Sequence, residues 1–178
     1  MVKATEGYKT PVFKHEIDLA LNANESVSAI PDLPGYLASL DVDFVQRYPS
    51  HQALQDAIGD WVGVDAERIV VTAGGDESID RIMRTMISET RNEIVTHAPT
   101  FEMIRIYAGN YDGQVTNVSW LLGEFPADAI KQQISDSTAV VVLTTPNNPT
   151  GRTIDLESIL AICKTAAAAG AKVLVDHA

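Results

Sequence analysis

Three stretches of the sequence carry residue types able to bind and orient a charged small molecule. In Thr72-Ala73-Gly74-Gly75-Asp76-Glu77-Ser78, two glycines precede a helical pattern. Glycine lets the backbone turn sharply. The free N–H groups of the following helical turn, with the positive end of the helix dipole, can then hold a phosphate. A tight turn in which Asp76 merely caps the helix is the plainer alternative, and both stay open on this stretch alone. The second stretch is Thr144-Thr145-Pro146-Asn147-Asn148-Pro149-Thr150-Gly151. Its prolines and glycine fix an irregular loop, and an asparagine there can donate to a ligand oxygen without adding charge. The third is Asp176, which ends the apolar run Val173–Val175. A carboxylate in that position is costly unless a cation or hydrogen-bond donors meet it. Phe101, in Pro99-Thr100-Phe101, is either a core aromatic or a cover for a flat ligand.

Regular elements must position these residues. Leu54, Ala57, Ile58, Trp61 and Val62 share one helical face, as do Ile79, Ile82, Met83 and Met86. The spacing predicts further helices near Tyr36–Leu40 and over Phe101–Ala108 and Ala127–Ile134, with Pro126 at a tolerated first position. In the last helix, Leu156, Ile159, Leu160, Cys163 and Ala167 form the apolar stripe. Asp155 is placed as its N-cap, Ile154 and Ile159 as a hydrophobic staple, and Gly170 lies just past its end. Strands are predicted at Arg68–Thr72, Glu93–Thr96, Gln114–Val118, Ala139–Leu143 and Lys172–Val175. Alternating strands and helices imply an α/β fold: a mainly parallel sheet with helices on both faces. Ligands of such sheets sit beyond the carboxyl ends of the strands, which is where all three stretches fall. Residues 1–50, with Pro11, Pro31, Pro34 and Pro49 and little periodicity, read as an irregular N-terminal arm with one short helix ahead of a domain over 51–178.

Composition narrows the chemistry. The chain has 178 residues, 46% of them hydrophobic and 21% charged, as in an ordinary globular protein. At this length roughly two thirds of the unfolded surface can be buried. A net charge of −11 argues against nucleic-acid or anionic-membrane partners. One cysteine, Cys163, excludes an internal disulfide and fits a reducing compartment, so a cytoplasmic location is expected. His15, His51, His97 and His177 are scattered without metal-binding spacing, so no metal is expected and they read as surface or packing residues. The stretch around Gly74 and Gly75 is neither G-x-G-x-x-G nor G-x-x-x-x-G-K-[ST], so a nucleotide-binding domain fits poorly.

Taken in order, several stretches resemble the fold-type I pyridoxal-phosphate aminotransferases, and among them the histidinol-phosphate aminotransferase group. They are Leu21-Asn22-Ala23-Asn24-Glu25, Arg47-Tyr48-Pro49, Gly74-Gly75-Asp76-Glu77, Pro99-Thr100-Phe101, Pro146-Asn147-Asn148-Pro149-Thr150-Gly151 and Val175-Asp176. The resemblance implies pyridoxal 5'-phosphate as cofactor, with backbone donors around Gly75 and Asp76, together with Glu77, cradling its phosphate. It implies that Phe101 stacks on the pyridine ring, Asn148 bonds the phenolic oxygen, and Asp176 pairs with the ring nitrogen. It also implies a homodimer in which Tyr48 reaches the neighbour's phosphate, and places Asn24 near an amino-acid or oxo-acid substrate.

The sequence departs from the family pattern in two ways. His177-Ala178 stands where the family usually has Glu-Ala-Tyr after the aspartate. None of Lys3, Lys9, Lys14, Lys131, Lys164 or Lys172 sits in the family's Schiff-base lysine motif. Lys172 is four residues before Asp176, about 13 Å along the strand at roughly 3.3 Å per residue, toward the wrong edge. The chain is therefore expected to be the N-terminal part of a longer enzyme, inactive alone, that moves an amino group between an amino acid and a 2-oxo acid or related ketone. A truncated non-catalytic cofactor-binding or association module, and another enzyme of this cofactor such as a phospho-amino-acid decarboxylase, are the alternatives.

Overall fold

The computed structural model describes residues 31–178, so Asn24 and the Leu21–Glu25 stretch lie outside the described residues. These residues fall into two compact units, one over 31–71 and one over Thr72–Ala178.

The second unit contains the sheet. Strands β1 (Glu93–Ala98), β2 (Gln114–Ser119), β3 (Thr138–Thr144) and β4 (Lys172–Asp176) lie in the order β2-β1-β3-β4, and every pairing is parallel. Helix α4 (Gly74–Met86) precedes β1, and α5 (Met103–Asn110), α6 (Ala127–Gln133) and α7 (Leu156–Ala168) connect successive strands. β3 reads Thr-Ala-Val-Val-Val-Leu-Thr and every residue of it is buried. Its β-branched side chains suit the pleat, and both of its faces are covered. Val140 and Val142 pack with Ile79 and Met83 of α4 and with Ile104 and Ala108 of α5. Val141 and Leu143 pack on the other face with Ile130 of α6 and with Ile162 and Ala166 of α7. Two cores sandwich one sheet, as the alternating pattern predicts.

The last helix follows its signals closely. The Asp155 carboxylate accepts from the Ser158 N–H at 2.7 Å and from its hydroxyl at 2.7 Å. Ile154 and Ile159 join the same core, and Gly170 adopts φ of 75° just past the helix. Arg91 clasps the amino-terminal end of the sheet, donating to the Thr138 carbonyl at 3.2 Å and the Ala169 carbonyl at 2.9 Å.

Four expectations need correction. Residues 69–72 of the predicted strand Arg68–Thr72 pair with none of the four strands, and Val70 is exposed. An apolar run is a strand only when a neighbouring ladder satisfies its N–H and C=O groups, and among the described residues none does. Phe101 lies two residues before α5 instead of beginning it. Pro126 is the N-cap of α6 and not its first residue. Of the N-terminal arm, residues 31–50 hold two short helices, α1 (Leu33–Ala38) and α2 (Val42–Gln46), where one is predicted.

In the first unit, α3 (Gln52–Val62) turns back on a single 3-10 turn at Ala66–Arg68. A Cβ on Gly59 would stand 2.6 Å from the Val64 carbonyl, so this close approach requires glycine. Leu54, Trp61 and Val62 of the predicted apolar stripe are exposed. Among the described residues no helix is long and apolar enough to cross a membrane.

Candidate functional site

The carboxyl end of the sheet brings together Gly75, Asp76, Phe101 and Asp176 of the residues that the sequence singles out. Gly74, at φ of 78°, occupies the left-handed region that favours glycine and starts α4 in a new direction. The turn is locked internally. The Thr72 hydroxyl donates to the Gly74 carbonyl at 2.9 Å and lies 2.7 Å from the Ser78 hydroxyl. The Ala73 N–H donates to Glu77 Oε2 at 2.5 Å, while Arg81 holds Oε1 at 2.6 Å. That backbone bond, and then the guanidinium, keep the Glu77 carboxyl below its ordinary range. Glu77, and not Asp76, is thus the side chain that caps this helix. Its carboxylate is committed to the chain itself, and Glu77 is not among the residues that line the cavity above the helix start. The first N–H groups of a helix have no partner within it, so the start of α4 offers donors to whatever lies above.

What lies above is a cavity of ≈ 210 Å³ lined by Ala73–Asp76, Ile79, Phe101, Asp176 and Ala178. A Cβ on Gly75 would come no nearer than 4.0 Å to anything, and its nearest neighbour would be Ala178. The space beside the helix start is open. Asp176 arrives there because β4 pairs with β3 residue for residue, Thr144 opposite Asp176. The Asp176 carbonyl accepts from the Thr145 N–H at 2.9 Å, and its Oδ1 accepts from the Ala178 N–H at 3.0 Å. The cavity therefore has a donor-rich, positive helix end on one wall, an aromatic side chain, and a carboxylate on a strand end. Such a set suits a flat ligand carrying an anionic group and a basic ring atom.

The two loop asparagines divide their work. Asn147 is buried, its Nδ2 donating to the Pro99 carbonyl at 2.9 Å and to the Thr150 hydroxyl at 2.8 Å. It fastens the loop after β3 to the loop after β1. Its neighbour Asn148 is exposed. The Thr100 hydroxyl adds a bond to the Thr144 hydroxyl at 3.1 Å.

Sequence reasoning missed a second fastener. His97, taken as one of the scattered packing histidines, is fully buried, edge-on to Trp120 at 5.3 Å and Phe125 at 5.8 Å. Its Nε2 accepts from the Thr144 N–H at 3.2 Å, tying the end of β1 to the end of β3 just below the loop. Burial pushes its pKa below the ordinary imidazole range. Period-two alternation puts His97 on the same face of β1 as Val95, but both faces of the strand are buried, so the alternation does not single it out.

A family model, aminotransferase class I and II, matches residues 16–178. The chain belongs to that family. A histidinol-phosphate aminotransferase from Desulfitobacterium hafniense (strain Y51) is 35% identical over 170 residues, which are 89% of this chain and 45% of that protein. Another, from Dehalococcoides mccartyi, is 30% identical over 159 residues, 88% of this chain and 43% of that one. Among solved structures, histidinol-phosphate aminotransferase from Sinorhizobium meliloti in complex with pyridoxal-5'-phosphate aligns with a TM-score of 0.66 at 18% identity, over 75% of this chain and 36% of that one. At that identity the structural match speaks for the fold. This aminotransferase-family chain spans less than half the length of these relatives.

Within the family chain, then, Gly75, Asp76, Phe101 and Asp176 share one cavity, and Asn148 stands on the loop that leaves β3 beside β4. Tyr48 lies in the unit of residues 31–71 and is wholly exposed, at 102% of its reference area.

Proposed function

We propose that this chain supplies a cofactor-binding wall of a pyridoxal 5'-phosphate-dependent aminotransferase of the histidinol-phosphate type. The observation that carries the reading is the shared cavity: the start of α4, Phe101 and Asp176 face one space at the carboxyl end of the sheet. The residues fit the group. N–H groups at Gly75 and Asp76 hold the phosphate, Phe101 covers one face of the ring, and Asn148 donates to the phenolic oxygen. The Asp176 carboxylate keeps a proton on the ring nitrogen. When bound, pyridoxal phosphate supplies a ring that withdraws electrons from the substrate's α-carbon. Asp176 strengthens that withdrawal, and the buried Asn147 and His97 hold the strand ends and loop in register beneath it.

The same proposal covers the assembled enzyme. Residues 51–178 form part of the cofactor domain. Asn24 serves the substrate, and the exposed Tyr48 the neighbouring subunit, in a cytoplasmic homodimer. The identities to histidinol-phosphate aminotransferases support an amino transfer between an amino acid and a 2-oxo acid or related ketone. In an enzyme containing this segment, Asp176→Ala should lower transamination of histidinol phosphate by several orders of magnitude and leave the far-ultraviolet circular dichroism intact. An unchanged rate removes Asp176 from the mechanism. A wild-type enzyme that binds the cofactor but prefers other amino donors removes the substrate assignment alone.

A further inference from the structure

We propose, on the strength of that cofactor reading, that His97 is a positioning residue for the cavity: its ring stands in for a missing rung between β1 and β3 and sets how far Phe101 stands from Asp176. The sheet parts at its middle. β1 runs beside β2 as far as Ala98 opposite Ser119, and β3 beside β4 as far as Thr144 opposite Asp176. The ladder between β1 and β3 stops earlier, at Thr96 opposite Val142. The Ala98 carbonyl accepts from the Trp120 N–H on β2, so the next backbone group turned toward β3 is that of Pro99, which has no N–H to give. Strand order also reverses at this gap, since β1 leads to β2 on one side and β3 to β4 on the other. A crevice at such a point is where parallel sheets bind ligands. Its two banks share the site residues. Phe101 follows β1, while Asn148 follows β3 and Asp176 ends β4.

Side chains bridge this gap. The Thr145 N–H goes to Asp176 on β4, so by alternation the Thr144 N–H points toward β1, where the His97 Nε2 takes it at 3.2 Å. The Thr100 hydroxyl reaches the Thr144 hydroxyl at 3.1 Å, and Asn147 Nδ2 reaches the Pro99 carbonyl at 2.9 Å. Of these three bonds, the one to His97 alone is made to the backbone of β3, so it fixes strand against strand. Burial disfavours a charge on the ring, which leaves Nε2 its lone pair. The brace works from the far face of the sheet. His97 packs edge-on to Trp120 and Phe125, whereas the cavity lies on the side of Ile79 and α4, and His97 is not among its lining residues. The start of α4 is wound by its own bonds from Thr72 and to Glu77, which do not involve His97. Contact with a ligand's ring therefore depends on the gap, and contact with its phosphate does not.

Two measurements on an enzyme containing this segment test the brace. In amide-resolved hydrogen exchange without ligand, His97→Leu should speed exchange at Thr144 and leave Thr145, which is held from β4, protected. His97→Gln keeps an acceptor and should protect both. In titrations, His97→Leu should weaken binding of pyridoxamine 5'-phosphate, which has the ring and the phosphate but no aldehyde, by about three- to tenfold, the factor of one aromatic contact. Binding of inorganic phosphate should not change, and His97→Gln should bind both as wild type does. The proposal is overturned if Thr145 loses protection along with Thr144, if the two ligands weaken equally or not at all, or if His97→Gln behaves as His97→Leu. Should His97→Leu fail to fold, Thr100→Val breaks another bond across the same gap, and equal losses for the two ligands, or none, overturn the proposal. A wild-type enzyme that binds pyridoxamine 5'-phosphate no better than inorganic phosphate overturns the cofactor reading itself. Failure of the comparisons in an enzyme that does prefer it overturns the role of His97 alone.

Discussion

Acid should weaken this fold through His97, in a pH range where the carboxylates do not yet take part. The ring is fully buried between Trp120 and Phe125, and its Nε2 lone pair is used by the Thr144 N–H. Protonation would place a charge in that site and remove the acceptor. Burial therefore depresses the folded-state pKa below the ordinary 6.5, while the unfolded chain titrates there. Below that value the unfolded state binds more protons than the folded one, so stability falls as the pH drops. A fall from about pH 7.5 to about 5.5 changes the unfolded-state binding term by RT times the logarithm of about ten, which sets the ceiling on the loss at about 1.4 kcal/mol. Urea titrations at both values, for wild type and His97→Gln, measure it directly. Glutamine keeps an acceptor for the Thr144 N–H but cannot titrate, so it should be less stable at the higher pH and lose little more at the lower one. His15, His51 and His177 are common to both proteins and cancel. An equal acid-dependent loss in the two proteins would refute the assignment to His97.

Other substitutions test other parts of the argument. Asp155→Ala removes the cap on α7 and should lower the midpoint of urea or thermal unfolding, whereas Asp155→Asn, which keeps an acceptor for the Ser158 N–H, should lower it less. Ile130→Ala empties a fully buried position where α6 meets the sheet and should cost roughly 2–5 kcal/mol by the same measurement. The 178-residue chain incubated with pyridoxal phosphate and reduced with borohydride should show no stoichiometric label at any one lysine, and no turnover of an amino acid, by mass spectrometry and product assay. Single-site labelling with turnover would contradict the missing-nucleophile argument.

The sequence revealed most where local chemistry and tertiary packing agree. Asp155, Ile154, Ile159 and Gly170 each signal one helix end, and all four act there. The unbroken apolar run of β3 announced a strand covered on both faces, and the two cores confirm it. The run at residues 69–72 has the same composition and forms no strand, because pairing belongs to the ladder and not to the residues. The grouping of Gly75, Asp76, Phe101 and Asp176 around one cavity was legible because the first two open α4, Phe101 follows β1 and Asp176 ends β4. Glu77 was legible as a residue but not as a cap, since which nearby donor a carboxylate chooses depends on how the turn is wound. Asn147 and His97 were the hardest to see. Their work is to join two loops and two strand ends far apart in sequence, and no local pattern encodes such a join.

The clasp made by Arg91 has a consequence for the order in which this sequence can change. A Cβ on Gly170 would lie 2.9 Å from the Arg91 guanidinium, and the residue also holds a positive φ. Alanine at Gly170 thus meets two obstacles, one conformational and one steric, and only the second depends on what occupies position 91. Replacing Arg91 first would clear the space but abandon the carbonyls of Thr138 and Ala169. Each position is a precondition for the other, so their substitutions should be strongly non-additive. A lineage carrying this chain would explore the two sites together or leave both alone.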